Sequence, residues 1–320
     1  LGDNSFGIVN ANATGNNYIT SSATSVGLGS RSVYAYSADK LGVIANYTDI
    51  STKNATSREN FGIYSSGRVD NHGNINFENG IGNVGIYVTG TDGKAFNLNG
   101  GTITISKSDV VGNNYSIGMA AKNGAVAENE GIINVTGDNG IGMYAIGNGS
   151  VAINNGEIHL SGKNSIGMFL DQEAVGINNG LITATPDAVG AIGAVATNRA
   201  VFKNYGIINI LPRVGVGVLV KRDAVLEEYS SPLATVPQEG SSRITAETRI
   251  QLPKLPKTGK GVPDGSVEIV SLAGDRIPEI KINGKAVNPV EFDISASSPE
   301  IKVVGSGDSA EQILETESNI

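Results

Sequence analysis

Asn129-Glu130-Gly131-Ile132-Ile133-Asn134-Val135 is followed by Ile141-Gly142-Met143-Tyr144 and then by Ser150-Val151, after which the three phrases begin again. The second round reads Asn154-Asn155-Gly156-Glu157-Ile158-His159-Leu160, Ile166-Gly167-Met168-Phe169 and Ala174-Val175. The phrase Asn-x-Gly-x-Ile-x-apolar starts at Asn71, Asn99, Asn129, Asn154, Asn178 and Asn204, at spacings of 28, 30, 25, 24 and 26 residues. The glycine phrase recurs as Phe61-Gly62-Ile63-Tyr64, Val84-Gly85-Ile86-Tyr87 and Ile117-Gly118-Met119-Ala120. Looser copies stand at Phe6-Gly7-Ile8, Val26-Gly27-Leu28, Val189-Gly190-Ala191 and Val214-Gly215-Val216. A fixed period of this size marks a solenoid.

Each phrase alternates with period two, which sends alternate side chains to opposite faces of a strand. Ile133 and Val135 then face inward while Ile132 and Asn134 face outward, and Ile158 and Leu160 repeat this against Glu157 and His159. Three short strands close one turn, and turns stack in parallel at about 4.8 Å per coil. No coil buries its own apolar side, so the array is the folding unit. Nine copies of the glycine phrase predict an all-β, right-handed parallel β-helix of about nine coils, on the order of 40 Å long. The Asn column is read as structural: Asn tolerates the left-handed region, stacked amides bond from coil to coil, and the following Gly supplies a positive φ. The longer spacings point to an enlarged turn at Ser106–Asn114, where solenoids graft function.

Composition divides the chain near residue 220. Residues 1–220 hold 35 of the 43 glycines and 2 of the 10 prolines, so the glycine excess belongs to the coils. The organisation expected is a β-helix over 1–220, a Pro-rich, charged β-type insertion or cap over 221–313, and the start of a further coil at 314–320. Gln251–Lys257 reads as an extended connector, and Ser318-Asn319-Ile320 resembles the lead into a glycine phrase. A net charge of −8 argues against a nucleic-acid partner, and with no cysteine there is neither a disulfide nor a thiolate metal site.

The repeated Asn-x-Gly-x-Ile-x-Val and Ile-Gly-Met-Tyr phrases resemble the passenger domains of type V autotransporters, and most of all the large fusobacterial outer-membrane adhesins. The resemblance covers residues 1–220 and the terminal Ser318-Asn319-Ile320. It implies a virulence-associated adhesin displayed at the cell surface, anchored to the bacterial outer membrane through a C-terminal barrel not present in this chain. Its partners would be host or bacterial cell-surface proteins or glycans, bound by a monomeric fragment without catalysis and without a cofactor. A cysteine-free chain suits threading through such a barrel.

Two other readings are carried beside adhesion, a carbohydrate-active β-helix enzyme and a purely structural stalk. The best carboxylate pair for glycoside chemistry is Glu130 and Glu157, one coil apart and on the order of 8 Å from each other; Asp70 and Glu128 share a column two coils apart. His72 and His159 occupy different columns, which leaves no metal or triad partner for either. For binding, the residues flanking each phrase glycine are expected to face inward and the fourth position outward. Tyr64, Tyr87, Tyr144 and Phe169 would then form an exposed aromatic stripe, with Ala120 between them. The alternative is that the rings stack to cover that face.

Overall fold

A computed structural model of the chain describes residues 1–10, 17–19, 23–109, 111–112, 114–211 and 214–228, together with the backbone of five short strands beyond residue 266. The expected connector Gln251–Lys257 and most of the expected insertion or cap at 221–313 lie outside the described residues. So does Ser318-Asn319-Ile320. The backbone strand Glu311–Glu315 pairs antiparallel with Glu300–Val304, and Val267–Ile269, Ile280–Ile282 and Lys285–Ala286 form a second small antiparallel sheet.

The repeat folds as a parallel β-helix. One coil runs through Ile141–Ile146 in sheet A, Val151–Asn154 in sheet B and Glu157–Leu160 in sheet C. Sheets A and B each hold nine parallel strands and sheet C eight, giving eight complete coils and two strands of a ninth. The ladder reaches Glu228, because Val225–Glu228 pairs in register with Val201–Asn204. The interior is the line where the three sheets converge. Met143 and Ala145 enter it from sheet A, Ala152 from B, Ile158 and Leu160 from C, and the same columns repeat from coil to coil. The alternation expected in sheet C is thus found, with Ile133 and Val135 buried and Ile132 exposed.

Three expectations about the glycine phrase are corrected. Val26-Gly27-Leu28 lies in sheet C, and the sheet A strand that follows it, Tyr34–Ala38, carries no glycine. The copies at 189–191 and 214–216 are out of frame, since Ile166 pairs with Ile192 and Ile192 with Val216, making Ile192-Gly193-Ala194 and Val216-Gly217-Val218 the true repeats. Nor do both flanking residues face inward. Met143 does, but Ile141 joins Tyr144 and Ile146 on the outer face, and the α-carbon of Gly142 faces the interior. A Cβ there would stand 2.6 Å from the Gly167 carbonyl oxygen and 2.9 Å from Ile158 Cγ2. The interior leaves no room at that step, so the inside-outside alternation slips at each phrase glycine.

The turns divide the work differently from the expectation. Positive φ falls on the turns leaving sheet A, at Gln172-Glu173, Asn198-Arg199 and Arg222-Asp223, and on Asn139 and Asn164 ahead of it. The Asn column and the glycines two residues after it adopt no such φ. Gly131, Gly156, Gly180 and Gly206 are required instead because a Cβ on any of them would overlap the carbonyl oxygen of the glycine one coil earlier.

Candidate functional site

The turns between sheets B and C stack into an open groove of roughly 630 Å³ spanning five coils, from Asn99–Thr102 to Tyr205–Ile207. Its construction follows from the sequence. Each turn begins with an asparagine, buried from Asn97 to Asn178 and half-buried at Asn204, and ends on a glycine too close to its neighbour to carry a side chain. A column of glycines therefore leaves a channel along the corner of the rod. Between these two columns sit Glu130, Asn155 and Asn179, all exposed, and the half-buried Tyr205.

The buried column is a continuous amide ladder. Nδ2 of Asn46 donates to Oδ1 of Asn71 at 2.7 Å, and the pattern continues through Asn97, Asn129, Asn154 and Asn178 to Asn204 at 2.8–2.9 Å. Asn99 is not a member; the turn of that coil is longer, and Asn97 occupies the ladder position. An outer amide pair runs parallel to the ladder, with Asn179 Nδ2 donating to Asn155 Oδ1 at 2.6 Å and Asn155 Nδ2 to Glu128 Oε1 at 2.5 Å. Burial raises the Glu128 pKa, Glu130 adds to the rise, and the Asn155 bond opposes it.

Both carboxylates considered for glycoside chemistry line this groove. Glu157 stands level with Ile132, two residues past Glu130, as the one-coil displacement requires. Its Oε2 lies 2.7 Å from His159 Nε2. Asp70 and Glu128 do share a column, two coils apart across Phe96, and Asp70 is bonded by Arg68 at 2.9 Å. His72 stacks on Tyr47 with ring centroids 4.4 Å apart. The groove residues Asn155, Asn179 and Tyr205 were not singled out from the sequence; the signal was the middle letter of Asn154-Asn155-Gly156, Asn178-Asn179-Gly180 and Asn204-Tyr205-Gly206.

The expected aromatic stripe is corrected. Tyr64, Tyr87, Tyr144 and Phe169 lie on the outer face of sheet A as read, but they are at most 5% exposed. Tyr64 stacks on Tyr87 at 5.7 Å and Tyr144 lies against Phe169 at 5.6 Å, with Ala120 separating the pairs. The stacking alternative describes them. A second column of Phe6, Tyr34 and Phe61 stacks beside them at 4.6 and 5.0 Å. The enlarged turn is present between strands Thr102–Lys107 and Ile117–Lys122, and Tyr115 from it joins this aromatic cluster.

One titrating group stands out on the opposite corner. Asp171 closes its sheet A strand fully buried, accepting from Asn198 Nδ2 at 2.7 Å and from the Gln172 backbone N–H at 2.8 Å. Burial pushes its pKa from 3.8 up to about 6, against those hydrogen bonds and Arg222. A carboxylate raised on folding favours the folded state while protonated, so this contribution is present below pH 3.8 and is lost as pH rises through 6. Two units correspond to roughly 2–3 kcal/mol. The stability of Asp171→Asn relative to the parent, from urea unfolding, is therefore expected to rise by about that amount between roughly pH 3.5 and 7. A pH-independent difference would contradict the assignment.

Residues 3–180 match the family described as the BigA third pectate lyase-like domain, a span that covers more than half of the chain. No curated protein and no solved structure matches.

Proposed function

The chain belongs to the family of the BigA third pectate lyase-like domain, and from that membership we propose that it is a non-catalytic binding module of a surface-displayed autotransporter adhesin. The observation that carries this reading is the groove at the corner between sheets B and C. It is open and long, and it offers amides and one phenol ring alongside the apolar side chains of Ile132, Leu181 and Ile207. Such a row suits hydroxyl-rich, extended ligands such as cell-surface glycans or the glycan chains of host or bacterial surface proteins. The charged side chains lining it, Glu130 and Glu157, are of one sign. Glu157 is engaged by His159, with Oε2 2.7 Å from Nε2. Display at the cell surface, and anchoring through a barrel of the kind used by the large fusobacterial adhesins, belong to the same proposal.

A glycan- and cell-binding assay with this chain tests it. Asn155→Ala combined with Tyr205→Ala is expected to weaken half-saturation by about 10-fold or more, the effect of losing roughly 1.4 kcal/mol of contact, because both side chains line the groove and neither is a member of the ladder. Release of reducing ends or unsaturated sugars by the parent chain, lost in Glu130→Gln with Glu157→Gln, would replace the reading with an enzyme. Binding that survives the groove variant would move the site elsewhere, and absence of binding by the parent would leave a stalk.

A further inference from the structure

The floor of the groove between sheets B and C has its backbone fully engaged. The carbonyl oxygens of Gly101, Gly131, Gly156 and Gly180 accept from the N–H groups of Ile132, Glu157, Leu181 and Ile207 at 2.9–3.0 Å. The N–H groups of Gly131, Gly156, Gly180 and Gly206 donate to the carbonyls of Asn97, Asn129, Asn154 and Asn178 at 2.8–3.0 Å. An extended peptide that adds to a sheet does so through unpaired backbone groups, and this floor leaves it no N–H donor. Recognition therefore falls to side chains.

Those side chains stand in two columns. Glu130, Asn155, Asn179 and Tyr205 follow one another along the corner, each N–H bonded to the ladder asparagine's carbonyl one coil earlier at 2.7–2.8 Å. Thr102, Ile132, Glu157, Leu181 and Ile207 open the successive strands of sheet C in register. The first column is chiefly hydrogen-bonding and the second chiefly aliphatic. A ligand in step with both presents a polar edge and an apolar side at every coil, about 4.8 Å apart. A pyranose ring does so, with hydroxyls around its edge and C–H groups on its faces, and in an extended chain successive rings advance by nearly one coil. The like-facing residues of a peptide strand advance about 6.6 Å and fall out of step.

Charge narrows the class further. Glu130 and Glu157 line the groove, Asn155 holds a third carboxylate, Glu128, beside it, and among the described residues no lysine or arginine lines it. A like charge placed among these carboxylates is disfavoured. We propose that the groove selects a linear glycan without anionic groups, laid parallel to the rod axis with one ring per coil. This rests on the glycan-binding reading above and adds the class of glycan. Glu130 and Glu157 are its specificity-determining residues, and they exclude sulfated, sialylated and uronate-bearing chains.

The test is binding of the whole chain to linear oligosaccharides of increasing length, each neutral member paired with a sulfated or uronate counterpart. Affinity within a neutral series is expected to rise up to about five rings, the span of the groove at one ring per coil, and then level off. At low salt the anionic counterpart of the best ligand is expected to bind about 10-fold or more weakly, and the gap should close as salt screens it. Glu130→Gln with Glu157→Gln, both exposed, should bring the pair within a few-fold of each other and leave urea unfolding unchanged. Anionic members bound as tightly as neutral ones, or no gain in affinity beyond a disaccharide, would overturn the inference and still leave a glycan-binding groove. A surface protein that binds the groove equally well after its glycans are removed would replace the glycan with a peptide, and would overturn it too. If no member binds the parent chain, or binding survives Asn155→Ala with Tyr205→Ala, the groove reading itself falls and takes the inference with it.

Discussion

Gly156→Ala is expected to lower the unfolding free energy by about 3 kcal/mol, the upper end of what overpacking typically costs. The backbone at Gly156 has an ordinary φ, so conformational strain is not the cause. The obstacle is space. A Cβ would overlap the Gly131 carbonyl oxygen and stand 2.7 Å from the Glu130 carbonyl carbon. Neither atom can retreat, because Glu157 N–H donates to the Gly131 oxygen at 3.0 Å and the strands that follow are paired in register. The same overlap faces Gly131, Gly180 and Gly206, so a single methyl must pry two coils apart. Thermal unfolding should show a drop on the order of 10 °C for a helix of this size. Gly149→Ala supplies the contrast: its φ is positive but its nearest neighbour stands 3.4 Å away, and a loss of only about 1 kcal/mol is expected. Equal losses at the two sites would show that close approach is not what selects glycine in this turn.

Asn129→Ala is the second large effect, expected at about 3–4 kcal/mol from the buried hydrogen bonds it removes. The side chain is fully buried, accepts from Asn97 Nδ2 at 2.8 Å and donates to Asn154 Oδ1 at 2.9 Å. It also donates to the backbone carbonyls of Gly131 and Glu157 at 3.2 and 3.3 Å. Removal leaves buried groups on both neighbouring coils short of a partner, each worth about 1–3 kcal/mol. Asn129→Asp keeps the shape and the acceptor but loses the donor, and should be as damaging at neutral pH as alanine. Exposed Asn155→Ala, one residue into the next turn, is expected to change stability by less than about 1 kcal/mol. Urea unfolding of the three variants decides the matter, and a mild Asn129→Ala would mean that the ladder contributes order without stability.

The repeat is legible because its cause is local and recurs. Ile133 and Ile158 point inward for the same reason, and counting them gives the coils. Individual frames are less legible. Tyr34-Ala35-Tyr36 carries the sheet A position without a glycine, while Val189-Gly190-Ala191 has the right letters in the wrong frame. The amide ladder can be read as a column, although the long turn at Asn97–Gly101 hides which asparagine belongs to it. Burial of Tyr64 and Tyr144 cannot be read at all. Facing outward on a strand is a property of the strand, whereas exposure depends on whatever else lies over the sheet, and periodicity carries no information about that. The groove escapes for the opposite reason: it is made by side chains that are missing, and glycine reads as a turn signal when its function here is to leave space.

The amide ladder also has a direction. Every Nδ2 from Asn46 onward points toward the later coil and every Oδ1 toward the earlier one, so the side-chain dipoles add along the rod instead of cancelling. The two ends therefore differ in kind: the C-terminal end offers a hydrogen-bond donor and the N-terminal end an acceptor. Backbone pairing carries the sheet B register one strand further, from Asn204 to Glu228. The rod is thus vectorial: a coil added at its later end meets amide donors and one added at its earlier end meets amide acceptors.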